Sequence, residues 1–291
     1  MKNQTNKNLS GGVKLLILLP ILISNSLFAQ EEEGTDADNR PVRPTFESAL
    51  LMDLQSVMVP NHKTLEFDIQ HRFGTVEEGI TDLFGIYAPA NIRMGFTYTP
   101  INNLAVGFGF GKFKKYLDLS LKYAILKQRR DWSIPVSLTY YTNIARDSRD
   151  KSLFSKPVHR FSYHHELIIA SRLSSKLSLQ VAPSFSHYNA IDSLYSNDII
   201  AISAGGRFRF SSQGAILINY VQQITNHDDP NFDLKPNITI GLEFSTGSHA
   251  FQVFVSNYQG ILPQENNTFN EYDFTKGEFL IGFNITRLWS F

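Results

Sequence analysis

The residues of this chain that could do chemistry fall into a few clusters, and most lack a partner the chemistry requires. His164, His165 and Glu166 put two imidazoles beside a carboxylate. A zinc-protease helix in HExxH spacing needs a second histidine at position 169, which is Ile169. Gly107, Gly109, Gly111 and Lys112 look like a phosphate loop, but the glycine spacing is wrong and no Ser or Thr follows the lysine. Asp229, Asn231 and Asp233 have the alternating oxygens that open a calcium loop. Leu234 stands where the turn glycine belongs and Ile240 where the distal glutamate belongs. His71, His159 and His187 fall near strand ends, where an interfacial position explains them better than a metal or haem site. There is no cysteine, which removes thiolate chemistry, disulfides and Cys-ligated metal. No GxSxG elbow is present. The expectation is a protein that is not an enzyme, with no catalytic residue, metal site or cofactor.

The polar residues that do recur are charges at alternate positions, and they lead to the elements that carry them. From residue 64 onward the apolar period is two. Leu65, Phe67 and Ile69 alternate with Glu66, Asp68 and Gln70; Met94, Phe96 and Tyr98 alternate with Arg93, Gly95 and Thr97. The pattern returns in Leu104–Phe110, Leu117–Ile125, Trp132–Tyr140, Phe161–Ile169, Leu177–Phe185, Ile200–Phe210, Ile216–Tyr220, Ile238–Phe244, Phe251–Val255 and Phe279–Phe291. Twelve such segments predict an all-β fold. Most have the length of a tilted membrane-crossing strand, about 9–11 residues. The gaps alternate too. Short ones (Thr99–Asn103, Lys127–Asp131, Ser171–Lys176, Ser211–Gly214, Thr246–Ser248) separate long ones (Gly74–Pro89, Asn143–Val158, Thr225–Lys235, Tyr258–Gly277). Lys112–Lys115 is the one short link among the long loops. Short turns at one end and long loops at the other are the layout of a transmembrane antiparallel β-barrel. An even strand count puts both termini on the periplasmic, short-turn side, with the long loops outward.

The start of the chain agrees with that destination. Lys2, Lys7 and Lys14 precede the apolar run Leu15–Ile23, and small and polar residues follow to Ala29. This is the order of a secretory signal peptide, expected to span 1–29. Residues 30–63 read as a periplasmic lead-in, polar and flexible through Pro44, and 64–291 as the barrel. No later run is long and apolar enough for a helical span, so entry into a membrane requires a closed barrel. A mean hydropathy of −0.17 then blends a lipid-facing surface with a polar interior. The formal net charge of zero gives no electrostatic case for nucleic acid.

Parity sorts the charges onto the inner face. Glu66, Asp68, Asp118, Glu166 and Glu243 share it with Arg72, Arg93, Lys122, Arg160, Arg207 and Arg209, and His164 joins them beside Glu166. These residues are the expected charge lining of the lumen. Arg287 falls on the apolar face, close enough to the C-terminus to reach the interface. Tyr98, Trp132, Tyr140, Tyr141, Phe185 and Trp289 suit aromatic girdles at the headgroups. Phe291 ends an alternating strand, the form of signal read by barrel insertion machinery. The glycines Gly107, Gly109 and Gly111 fall on the inner face, where they leave lumen space or admit close packing.

The pieces QHRFG (Gln70–Gly74), ANIRMGFTYTPINNLAVGFG (Ala90–Gly109), GGRFRF (Gly205–Phe210), HAFQVFVSN (His249–Asn257) and KGEFLIGFNITR (Lys276–Arg287) resemble a family of outer-membrane β-barrels from Gram-negative bacteria, grouped as a domain of unknown function. The resemblance covers roughly 45–291. It implies the architecture and an outer-membrane location, and brings no activity or catalytic residue.

One segment before the barrel stands apart. Phe46–Met58 is apolar enough to pack, with Thr45 a possible N-cap. Its pattern does not decide helix from strand. It could lie in the periplasmic mouth, fill the lumen or extend the first strand; the mouth is the favoured placement. The function expected is a narrow pore passing a small solute through a mixed-charge lumen, with outer-membrane lipid and the insertion machinery as partners. The alternative is a non-conducting barrel that anchors or assembles with other envelope proteins. A lipid-acting enzyme is a distant third, for want of a nucleophile.

Overall fold

The structure is a computed structural model that describes residues 38–227, 229 and 234–291. The expected signal peptide lies outside the described residues, as do Asn231 and Asp233 of the calcium-like spacing. Two short strands come first, β1 (Leu50–Leu51) and β2 (Leu54–Gln55), paired only with each other. Twelve strands follow: β3 (Thr64–Thr75), β4 (Asn91–Ile101), β5 (Leu104–Gly111), β6 (Leu117–Leu126), β7 (Ser137–Arg146), β8 (Phe161–Arg172), β9 (Leu177–Tyr188), β10 (Asp198–Arg209), β11 (Gly214–Gln223), β12 (Asn237–Ser245), β13 (His249–Ser256) and β14 (Leu280–Ser290). Each pairs antiparallel with the next, and β14 pairs with β3 to close the barrel. Closure leaves no open edge of unpaired N–H and C=O groups, which hydrocarbon cannot satisfy. Among the described residues no helix is long and apolar enough to cross a membrane.

The pleat explains why these sequences make this wall, since successive side chains point to opposite faces. On β9, Ser178, Gln180, Ser184 and Ser186 are buried inside, while Leu179, Val181 and Phe185 are exposed outside. Phe96, Phe108, Leu119, Ile218, Ile240 and Val253 continue the outer apolar surface around the circumference. Arg287 is on this outer face, its guanidinium 4.9 Å from the Trp289 ring centre. The links from β4 to β5, β8 to β9, β10 to β11 and β12 to β13 are short, the one from β6 to β7 is longer, and the longest lie at the opposite end.

Several expectations shift. Strand β7 starts at Ser137 instead of Trp132, and the turn before it spans 127–136. Pro135 has no N–H to give to a ladder, and Trp132 sits in the turn with φ +60°. Tyr141 shares the inward, odd-numbered parity of Ser137 and Thr139, so it is buried in the barrel and not in a girdle. The described part of the lead-in is tied to the barrel: the Val42 N–H donates to Gln128 O at 3.0 Å, and the Arg130 N–H donates to Arg40 O at 3.1 Å. That contact fixes the lead-in at the turn end. The β13–β14 loop does not extend outward. It folds a short helix, α1 (Pro263–Phe269), back into the barrel with Gln264, Glu265, Asn266, Asn267 and Thr268 all buried.

Candidate functional site

The lumen is where the inward side chains converge, and it is filled. Segment Phe46–Met58 runs inside the barrel, not at its mouth, and doubles back through the β1–β2 hairpin. Phe46, Leu51, Met52, Leu54 and Val57 form one apolar cluster with the inward Ile168, Leu217, Phe254 and Tyr258. A hairpin this short cannot satisfy its own backbone, so the wall does it. Lys122 donates to Ala49 O at 3.0 Å and Ser56 O at 3.2 Å. Thr139 donates to Val57 O at 2.8 Å, Gln180 to Gln55 O at 2.8 Å, Gln252 to Leu50 O at 2.9 Å and Asn284 to Met52 O at 2.9 Å. Asn219 donates to Leu51 O, and the Met52 N–H donates back to Gln252 Oε1 at 3.0 Å.

Asp53 is the charged centre of this segment. Its Oδ1 lies 2.9 Å from Arg72 Nη2, with both side chains fully buried. Its Oδ2 accepts from Thr239 at 2.7 Å and Ser256 at 2.5 Å. Arg72 also donates to Asn284 Oδ1 and to His71 O, each at 3.0 Å, and its guanidinium lies 4.6 Å from the Phe254 ring centre. Hydrogen bonds of this kind offset the cost of burying an ion pair.

The other expected lining residues fall into distinct groups. Arg93 bridges Asp68 at 3.1 Å and Asp118 at 2.8 Å, and Asn143 donates to Asp118 at 2.9 Å. The glycines opposite make this possible, because a Cβ on Gly109 would stand 2.5 Å from Arg93 Cζ and one on Gly95 would collide with Asp68. Their role is room for a guanidinium lying flat on the wall. Arg207 pairs with Glu243 at 2.8 Å and approaches Glu47 at 3.8 Å. Glu66 and Lys122 line a cavity of about 30 Å³ together with Asp68 and Arg93. Glu166 accepts from Ser203 at 3.4 Å. His164 Nδ1 is 3.0 Å from Ser186 Oγ. Its Nε2 stands 3.9 Å from Glu166, too far for a hydrogen bond.

One residue leaves the group. Arg160 is not on a strand wall; it ends a 3-10 turn at the loop end and donates to Arg149 O at 2.5 Å. Arg209 keeps the inward parity of Arg207, half-buried at the turn end of β10. Phe291 is 80% exposed, its N–H donating to Lys63 O at 3.0 Å. Among the described residues no group of three or more His, Asp or Glu side chains could hold a metal ion. The expected histidines make ordinary contacts. His71 stacks on Phe283 at 4.9 Å, His187 meets Asp198 at 2.6 Å, and His165 meets the Tyr140 hydroxyl at 2.7 Å. His159 Nδ1 lies 3.3 Å from Ser155 Oγ.

Sequence reasoning missed Asp53 and the uncharged wall residues Thr139, Gln180, Asn219, Gln252 and Asn284. Inward parity with amide or hydroxyl chemistry was the available signal. Helix α1 was missed as well. Gln264 donates to Asn143 Oδ1 at 2.9 Å, Asn267 donates to Ser184 at 3.3 Å, and Thr268 O accepts from His227 at 2.8 Å. Between α1 and the N-terminal segment a cavity of about 20 Å³ remains, room for a single water. Burial pushes the Glu265 carboxyl up to about 7, with Lys114 opposing.

Comparison with known proteins agrees with this architecture. Residues 46–289 match the model of the family described as "Membrane bound beta barrel domain (DUF5777)". No curated protein matches the chain in sequence. Among solved structures the chain is similar to the NanC porin, with 9% identity, TM-score 0.49, and coverage of 78% of this chain and 99% of that one. It is also similar to an outer membrane channel from Pseudomonas putida F1, with 12% identity, TM-score 0.47, and coverage of 80% and 97%. The KdgM porin follows at 10% identity, TM-score 0.43, and coverage of 78% and 99%. With the matched stretch, 46–289, spanning nearly all of the barrel, the chain belongs to the membrane-bound beta barrel domain family DUF5777.

Proposed function

We propose that the protein is a gated channel for small solutes, closed in the conformation described, with its turn end and termini toward the periplasm. The observation that carries this reading is the identity of the closing material. The wall does not narrow the lumen by itself; an N-terminal segment and a loop helix occupy it. Twelve strands enclose a bore intermediate between packed eight-stranded barrels and sixteen-stranded porins. Withdrawing 46–58 breaks no barrel pairing, because β1 and β2 pair only with each other. The wall left behind carries Arg72, Lys122, Arg207, Glu166 and Glu243, together with amides. Such a two-signed polar lining passes hydrated solutes.

A specific observation favours the rival, a non-conducting anchoring barrel. The apolar cluster of Phe46, Leu51, Met52 and Leu54 with Ile168 and Leu217 packs like the core of a soluble protein. Liposome swelling with sugars of graded size separates the two. A barrel lacking 46–58 should admit the small sugars and exclude the large ones. If that barrel inserts, remains folded and admits none, the channel reading fails and the anchoring one stands.

A further inference from the structure

At the loop end a cavity of about 430 Å³ opens beside α1, far larger than the water-sized spaces in the lumen. Small-molecule sites occupy roughly this range, about 300–1,000 Å³. We propose that it binds a small organic anion with a flat apolar body, held by Lys114, Arg149 and Arg160. This deepens the channel reading by giving the solute a chemical class, although binding itself does not require conduction.

The positive charges of this cavity are only partly neutralised. Asp147 lines it too, but its carboxylate is held by Arg149 at 2.7 Å. Among the described residues no carboxylate lies within 4.0 Å of the charged nitrogens of Lys114 or Arg160. Arg160 is only 8% exposed, and among the described residues its guanidinium gives one hydrogen bond, to a backbone carbonyl. A guanidinium carries five donors, so the others remain for a guest. It lies 4.8 Å from the Phe154 ring centre, which leaves it planar against an aromatic face. The remaining acid of the lining is Asp192, whose carboxylate accepts the Leu194 N–H at 3.1 Å.

Lys114 is presented by backbone strain. It sits in the one short link at the loop end with φ +49° and ψ +13°, a left-handed conformation that a lysine rarely adopts. Its ammonium lies 4.3 Å from the ring centre of Phe269, the last residue of α1. Phe269, Tyr195 and Phe154 give the cavity aromatic walls. Cations set among rings suit an anion that carries a ring of its own.

Benzoate and its uncharged counterpart benzamide, titrated calorimetrically into the detergent-solubilised full chain at low salt, test this. Benzoate should bind about tenfold or more tightly than benzamide, the scale of a partly desolvated charge pair. Lys114→Met should weaken benzoate by a similar factor, Lys114→Arg should restore it, and Asp192→Asn should tighten it. Heat-modifiable gel mobility verifies that each variant barrel is folded. Equal binding of the two probes, absence of benzoate binding, or indifference to both Lys114→Met and Arg160→Gln would overturn the site. Conductance of the chain lacking 46–58 separates the two claims: benzoate binding with a shortened barrel that stays silent sinks the channel, and conduction through the shortened barrel without benzoate binding sinks the anion site.

Discussion

Asp53→Ala should loosen the N-terminal segment more than any other single change to it. The carboxylate meets Arg72, Thr239 and Ser256, and the Arg72 and Asp53 side chains have no exposure. Removing one member of a buried pair costs about 3–5 kcal/mol, chiefly because the other charge is left buried. Arg72 keeps Asn284 Oδ1 and His71 O, and water can enter the vacated space, so the low end applies. At 1.4 kcal/mol per factor of ten, the opening equilibrium rises about a hundredfold. The native chain has no cysteine, so a single probe is clean. Ser56 is fully buried in the same segment, and Ser56→Cys is close to isosteric. Its labelling by a water-soluble maleimide should accelerate by about that hundredfold when Asp53→Ala is added, if labelling goes through opening. Asp53→Leu with Arg72→Met should label more slowly than Asp53→Ala, because no charge is stranded. Equal labelling with and without Asp53→Ala would refute the reasoning; equal labelling in Asp53→Ala and the double variant would refute the stranded-charge argument.

Three further outcomes follow from the same geometry. Gly109→Ala drives a Cβ into the Arg93 guanidinium and should cost about 1–3 kcal/mol in denaturant unfolding, less when Arg93→Ala is also present. Glu265 has a raised pKa, so folded α1 holds its proton at pH values where the free carboxyl has lost it. Seating of α1 should therefore be firmest below about pH 4.5 and weaken as pH rises to about 7, read as faster labelling of Asn267→Cys after correction for thiol ionisation, and Glu265→Gln should flatten the profile. A rate in the Asn267→Cys chain that does not change with pH once thiol ionisation is corrected for would contradict it. Epitope tags at Leu153, which is exposed, should be reachable from outside intact cells, and tags at Gly247, which has open space around it, should not; the reverse pattern would invert the proposed sidedness.

The wall was legible in the sequence because strand parity is local. Leu217 and Ile218 are adjacent, yet one is buried and the other half exposed, and alternation alone assigns them. Strand ends were less legible. Trp132 and Ile134 continue the even-numbered apolar row of Leu138 and Tyr140 into the turn, so the pattern does not mark where the ladder stops. The lumen contents were hardest. Asn219, Gln252 and Asn284 catch the backbone of residues 50–52 from more than 160 positions away, and a neutral amide looks the same whether it faces water or a plug. The α1 sequence PQENNTF reads as solvated loop. Inside a polar barrel those amides meet serine hydroxyls, and the polarity that argued for solvent is what lets the helix enter.

Planar-bilayer recording tests the central claim most directly, using the full chain and a chain lacking 46–58 in the same lipid. The full chain should insert and remain largely silent, and the shortened one should show discrete, reproducible conductance steps. A shortened barrel that is folded, inserted and as silent as its parent would contradict the account.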